Sequence, residues 1–374
     1  MDTKQFVDIL LKYGCNLFTG VPDSLLSKFS ACLMQQKELK HVIAANEGNA
    51  VGLAIGNYLA TGKPAVVYMQ NSGLGNTVNP ITSLADPNVY GIPFVLVIGW
   101  RGQPGFKDEP QHVKQGEITI GQLNILDIPY IILNSNTDIE KELPKLFEKM
   151  AKRNGPVAIV VEKGALTGNY PLDKKVANSS LSRESAIELL SEKLPKDSIF
   201  IATTGKSGRE LYEIRERRNE PHNDFLTVGG MGHASSIALG ICMSEKERKV
   251  VCLDGDGAFL MHMGASAVIN SCRPKNLVHI LLNNYAHESV GGQPTVSDKV
   301  DFYELSKAVD YTKYYKVSSS EELNNVIPSL VKEKGCILLE VLVNQDVRDD
   351  LGRPKVSPED NKKAVMSFIR KADV

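Results

Sequence analysis

The sequence has no Cys-x-x-Cys pair, no apolar run near the roughly 20 residues of a membrane-spanning helix, and no surplus of one charge. Each absence excludes something. Six cysteines (Cys15, Cys32, Cys242, Cys252, Cys272, Cys336) are scattered through apolar contexts. That argues against a disulfide framework or zinc knuckle and for free thiols in a cytoplasmic protein. Asp2, Lys4, Asp8 and Lys12 punctuate the N-terminal apolar residues, the pattern of an amphipathic helix and not of a signal peptide. Lys and Arg number 43 against 44 Asp and Glu, so nucleic acid and membrane are not expected as partners. At 374 residues, 42% hydrophobic and 23% charged, the chain can bury two substantial cores without covalent staples.

What is present is alternation. Short β-rich runs at 65–69, 94–98, 130–133 and 157–161 are separated by helical spacing, for example at 47–60 and 139–152. Residues 164–180 break the pattern with glycines, a proline, asparagines and serines. It then resumes, with helices near 183–193 and 208–217 and strands at 198–202, 250–253, 277–282 and 337–343. Alternating strands and helices imply βαβ units and mostly parallel sheets. We expect an α/β chain with a first domain at 1–165, a linker at 166–181, and a second domain at 182–374 that includes a charged tail and a short helix over 361–371.

The most informative stretch is Lys249 to Ala258, in which a buried strand runs into Gly255-Asp256-Gly257. A helical segment, 258–270, and a second apolar strand follow, and that strand ends in Asn283-Asn284. Two parallel strands thus finish in small polar groups, where ligands bind open α/β sheets. Gly255 and Gly257 permit a tight turn and close approach of an anion to the backbone. Asp256 and an asparagine offer hard oxygens suited to magnesium, which completes its shell with phosphate oxygens and water. The helix start beyond Gly257, at Ala258, adds oriented amides for an anion.

Gly255-Asp256-Gly257 followed by Asn283-Asn284 resembles the thiamine diphosphate-binding motif. The resemblance implies two doubly wound parallel-sheet domains, one pyrimidine-binding and one diphosphate-binding. It implies Mg2+ held by Asp256, Asn284 and the Ala286 carbonyl. It also requires a glutamate for the aminopyrimidine ring, and Glu47, in the step Ala45-Asn46-Glu47-Gly48 before a small-residue helix, fits. Gly229-Gly230-Met231-Gly232 places Met231 where similar enzymes prop the cofactor from beneath. The chain is too short for the central third domain common among the larger decarboxylases and synthases. Without it the chain is similar to the phosphonopyruvate and sulfopyruvate decarboxylase group of thiamine diphosphate enzymes. Lys107 to His112, Gln70-Asn71-Ser72-Gly73 to Asn76, Gly20 to Ser24, and Asn283 to Thr295 carry that likeness.

The implied reaction converts 3-phosphonopyruvate, an anionic 2-oxo acid, to phosphonoacetaldehyde and carbon dioxide in phosphonate (2-aminoethylphosphonate) biosynthesis. Glu47 would activate the cofactor, and Asp23 and His112 would serve proton transfer or carboxylate positioning. Asp23 also fits a helix N-cap before Ser24 and Leu25. Asn71, Ser72, Gly73, Gly230, Met231, Ala258, Glu288 and Ser289 would line the cofactor site. Arg101, Lys107, Lys206, Arg209 and Arg353 are the cations available for the phosphonate. The group also implies a homo-oligomer, at least a dimer, with active sites between subunits. Gly205-Lys206-Ser207 is not a P-loop end, because Phe200 stands where its first glycine belongs. Sulfopyruvate is the alternative substrate. A carboligase would need the missing central domain, and a non-catalytic cofactor-binding regulator would not need Glu47, Asp256 and Asn284 together.

Overall fold

The computed structural model describes residues 1–172 and 177–370. Contacts divide the chain into two units, Met1–Lys174 with His287–Gln293, and Lys175–Ala286 with Pro294–Val374. The first unit is built on β1 (Phe18–Gly20), β2 (His41–Ile43), β3 (Val66–Gln70), β4 (Val95–Gly99), β5 (Tyr130–Leu133) and β6 (Val157–Val161). They form one sheet in the order β2-β1-β3-β4-β6-β5, every pair parallel. Parallel neighbours need crossovers, and helices supply them between most of the strands. Alternate side chains of each central strand serve opposite cores. Val66 and Tyr68 join one cluster, and Val67 and Met69 join the other. Burial on both faces is why these strands read as unbroken apolar runs.

The second unit repeats the plan with β7 (Ile199–Ala202), β8 (Phe225–Leu226), β9 (Val250–Gly255) and β10 (Asn276–Asn283). The short strands β11 (Ala286–His287) and β12 (Gln293–Pro294) pair with each other, and β13 (Lys313–Val317) and β14 (Gly335–Leu342) complete the large sheet. Its order is β13-β14-β10-β9-β7-β8, again all parallel. Val251 and Leu253 point into one core, Val250 and Cys252 into the other. The expected α/β class with two parallel sheets is the observed one. Among the described residues, no helix is long and apolar enough to cross a membrane.

Two elements differ from expectation. The helix expected over 258–270 is two helices, Asp256–Met261 and Ala265–Ser271. The chain leaves helical geometry at His262 (φ −132°, ψ 44°) and restarts after Gly264. A glycine inside a helix costs about 1 kcal/mol relative to alanine, so a break there is favoured. The closing helix is Pro358–Arg370, three residues earlier than read, and residue 371 lies outside the described residues. Asn361 fixes its start, accepting from the Leu226 N–H at 3.2 Å and donating to the Asp224 carbonyl at 2.8 Å.

Of the segment expected as a linker, residues 173–176 lie outside the described residues. The parts on either side are packed. Leu166 sits in the first core, Thr167 bonds the backbone of Met1 and Thr3, and Gln35 donates to the Pro171 carbonyl at 2.7 Å. Leu181 belongs to the second core, and Ser179 Oγ lies 2.7 Å from each of the carbonyls of Ser318 and Leu342.

Candidate active site

Parallel strands deliver their following loops to one edge of a sheet. In the first unit the four adjacent strands β2, β1, β3 and β4 end at Ile43, Gly20, Gln70 and Gly99. Glu47, Asp23, residues 71–73 and Arg101 follow these ends within a few residues, so the fold gathers them at one carboxyl edge. His112 joins them in the first turn of the helix Pro110–Ile125, which leaves that edge after β4.

Glu47 is the first residue of the helix Glu47–Thr61, and it is 6% exposed. Asn46 caps that helix by accepting the Asn49 N–H at 2.9 Å, and Gly62 ends it in the left-handed region at φ 67°. The Glu47 carboxyl accepts from Asn76 Nδ2 at 2.8 Å through Oε2. Gly73 lies against the same carboxyl, and a Cβ there would stand 2.4 Å from Oε1. The glycine in this turn therefore makes room for Glu47.

Asn71 is fully buried. Its Nδ2 lies 2.8 Å from the Arg101 carbonyl and 2.9 Å from Thr119 Oγ1, and its Oδ1 accepts the Arg101 N–H at 3.2 Å. These bonds tie the end of β3 to the end of β4. Ser72 is exposed at the same turn, its Oγ accepting from Gln70 Nε2 at 2.6 Å.

Asp23 is 1% exposed. Oδ2 accepts the N–H groups of Leu25 and Leu26 at 3.0 and 3.2 Å, so the residue caps the turn 24–26, while the helix beyond it starts at Ser27 with Leu26 as its N-cap. Oδ1 is buried with no hydrogen-bond partner among the described residues. Burial pushes this carboxyl up to about 6, opposed by the Arg101 charge and the backbone N–H groups. Gly99 is again a spacer, since a Cβ there would lie 2.6 Å from Asp23 Oδ2.

Arg101 forks onto Asp108, with Nε to Oδ2 at 2.8 Å and Nη2 to Oδ1 at 2.6 Å, while Nη1 reaches Ser24 Oγ at 3.0 Å. Asp108 also accepts the N–H groups of Gly102 and Glu109, both at 2.8 Å. The guanidinium holds this carboxyl well below the usual carboxylate range. Arg101 thus organises loop 101–109, where Phe106 and Lys107 are exposed. Asp108 was not singled out from the sequence, although it sits in the quoted motif.

In the second unit the register sets Leu282 opposite Gly255, so Asp256 and Asn284 leave neighbouring strands side by side. Asp256 is 3% exposed. Its Oδ2 accepts from Thr295 Oγ1 and lies 2.8 Å from Ser297 Oγ, which is also 2.9 Å from Asn283 Oδ1. Burial raises this carboxyl to about 6 against the hydroxyl and Gly257 N–H donors. Asn284 accepts the Ala286 N–H at 3.0 Å through Oδ1. A buried carboxylate met by hydroxyls and an N–H, with an amide and a carbonyl next to it, is a set of hard oxygens that suits a divalent cation. A Cβ on Gly255 would meet nothing within 4 Å, so the backbone there faces open space. Thr295 and Ser297 were missed because they come from about 40 residues downstream of Asp256.

Met231 follows β8 and is half-buried, between Gly230 (φ 67°) and Gly232 (φ 84°). A Cβ on Gly232 would stand 3.0 Å from the Ala258 carbonyl, so this turn packs on the helix that Asp256 starts. Lys206 opens the helix Lys206–Arg217 beyond β7, with Arg209 one turn in, and Arg353 lies on the tail. Glu288 and Ser289 fall in His287–Gln293, the segment grouped with the first unit, where Gln293 donates to Ser30 Oγ at 2.7 Å.

Comparison with known proteins finds a matching domain in each unit. Residues 3–124 match the model of the thiamine pyrophosphate enzyme N-terminal TPP binding domain, and residues 203–341 that of the C-terminal TPP binding domain. A phosphonopyruvate decarboxylase of Streptomyces viridochromogenes is 33% identical over 95% of this chain and 92% of its own length. The chain belongs to the phosphonopyruvate decarboxylase family of thiamine pyrophosphate enzymes. A second member of that family, from Streptomyces hygroscopicus, is 33% identical over 93% of this chain and 88% of its own length. A sulfopyruvate decarboxylase of Methanosarcina acetivorans is 29% identical, covering 85% of each chain. The first matched domain spans β1 to β4 and the second β8 to β13 with most of β14, and the cofactor such domains bind is thiamine diphosphate.

Proposed function

We propose that this chain decarboxylates 3-phosphonopyruvate to phosphonoacetaldehyde and carbon dioxide with thiamine diphosphate and magnesium. The observation that carries the reading is the 33% identity to a phosphonopyruvate decarboxylase over 95% of the chain. When bound, thiamine diphosphate supplies the electron sink for loss of carbon dioxide. The side chains supply position and protons. Asp256 and Asn284 would hold magnesium through side-chain oxygens and Ala286 through its carbonyl. Glu47 would hold a proton at the aminopyrimidine ring, oriented by Asn76 and given space by Gly73. Asp23, with a carboxyl near 6, keeps about a tenth of its protons at pH 7 and can exchange one at Oδ1. His112, on the first turn beyond the Arg101–Asp108 loop, would position the departing carboxylate.

The same reading makes the protein a cytoplasmic homo-oligomer of at least two chains, with each cofactor shared between subunits. An active species that sediments as a monomer would overturn that part. Phosphorus NMR tests the reaction itself: phosphonoacetaldehyde should appear from phosphonopyruvate only with thiamine diphosphate and magnesium, and chelation should stop it. No aldehyde under any condition refutes the reading. The likeness to a sulfopyruvate decarboxylase supports a second substrate, whose sulfonate has the same shape and one less possible charge.

A further inference from the structure

Cys252, Asp254 and His279 bring a thiol, a carboxylate and an imidazole within 4.8 Å of one another inside the second unit. They come from β9 and β10, where His279 is paired with Cys252 and Asp254 lies two residues on, on the same face. Cys252 is fully buried, and Asp254 and His279 are each 1% exposed. These are the ligand types of a zinc site. The hydrogen bonds point elsewhere. Asp254 Oδ1 accepts the Gly255 N–H at 3.0 Å, and Oδ2 lies 3.3 Å from His279 Nε2. His279 Nδ1 lies 2.9 Å from the Tyr311 hydroxyl. Both carboxylate oxygens and both ring nitrogens already have protein partners. Burial and the Asp254 charge hold the Cys252 thiol protonated. A metal would have to break this set and strip the thiol as well.

A carboxylate only accepts, which assigns the proton to Nε2 and leaves Nδ1 to take the Tyr311 O–H. The chain of bonds then runs from Tyr311 through His279 and Asp254 to the backbone of Gly255. Gly255 needs such a hold. It has no side chain, a Cβ there would touch nothing within 4 Å, and glycine loses the most freedom on ordering. Its φ of −102° and ψ of 156° aim the next residue, Asp256. We propose that Tyr311, His279 and Asp254 are positioning residues that fix the Gly255-Asp256-Gly257 turn for the metal and diphosphate. His279 stops the Asp254 carboxylate from rotating and gives its buried Oδ2 a hydrogen-bond donor. This inference rests on the reading that the turn receives thiamine diphosphate and magnesium.

The test is calorimetric titration of thiamine diphosphate into the full-length protein at a series of magnesium concentrations. Unfolding of the cofactor-free protein is followed in parallel. Loss of a group that orients a metal ligand typically weakens binding about 10- to 100-fold. His279→Leu should raise the magnesium needed for half-saturation by that factor in protein that is still folded. His279→Gln, which keeps a donor, should recover most of the loss. Tyr311→Phe should give an intermediate loss. Cys252→Ala touches the cluster without entering the chain of bonds and should leave the requirement within about twofold. If the wild type itself binds no thiamine diphosphate, the proposed function fails and this inference with it. If the wild type binds and His279→Leu matches it, the inference alone fails. If Cys252→Ala is as damaging as His279→Leu and zinc copurifies with the protein, the cluster is a metal centre. Should His279→Leu not fold, Tyr311→Phe decides, and an unchanged magnesium requirement overturns the proposal.

Discussion

Gly73→Ala isolates the relation between the glycine turn and Glu47. The new Cβ would stand 2.4 Å from Glu47 Oε1 and 2.6 Å from both Cδ and Cγ. Ordinary contact begins at about 3.4 Å, so the carboxyl must move by about 1 Å. The backbone imposes no strain, because Gly73 has φ −74°. The strain therefore falls on the Glu47 side chain, which Asn76 and burial otherwise fix. A misplacement of about 1 Å can cost about 100-fold in rate, while the crowding itself destabilises the fold by about 1–3 kcal/mol. Gly75→Ala is the control, since a Cβ there meets nothing within 4 Å. Carbon dioxide release at saturating cofactor should fall about 100-fold for Gly73→Ala and stay near wild type for Gly75→Ala. Activity of Gly73→Ala within about threefold of wild type, well short of that loss, would refute the spacer argument. So would equal losses in the two variants.

Asp23→Asn should change how stability depends on pH. A carboxyl raised from 3.8 to about 6 on folding contributes stability in full below about pH 4 and loses it as pH rises through 6. That loss amounts to about 3 kcal/mol, and Asn does not titrate. Urea midpoints should therefore favour the variant increasingly from pH 4 to 7, and a pH-independent difference contradicts the assignment. The variant should also lose activity, most of it in the turnover number. Asp108→Asn breaks the fork with Arg101, whose partner atoms are largely buried, and removes about 1.5–3 kcal/mol of charge-assisted bonding. Proteolysis within 102–109 should quicken and KM should rise, and unchanged cleavage would show that the fork does not order the loop.

Much of this is legible in the sequence. Residues 130–133 and 157–161 are apolar on both faces of a sheet, so composition alone placed β5 and β6. Asn46 before Glu47 announces a helix start, and Gly255-Asp256-Gly257 and Asn283-Asn284 announce two neighbouring strands that finish in polar turns. What stays hidden depends on which side chains the fold brings together. The hydrogen bonds of Asn71 reach residues 30 and 48 positions away, which no local pattern displays. Arg101 reads as a cation available to an anion, yet the fold pairs it with Asp108 seven residues on. Gly73 reads as part of a glycine turn, and only the packed structure reveals the Glu47 carboxyl it accommodates. The break at His262 was missed because the flanking residues keep helical spacing across it.

The most direct test compares phosphonopyruvate with sulfopyruvate and pyruvate. Purified protein with thiamine diphosphate and magnesium receives each in turn, and carbon dioxide release gives kcat/KM. The account predicts fast, cofactor-dependent release from phosphonopyruvate and far slower release from the other two. Equal or better turnover of sulfopyruvate would move the chain to that substrate, and no release from any of the three would contradict the decarboxylase reading itself.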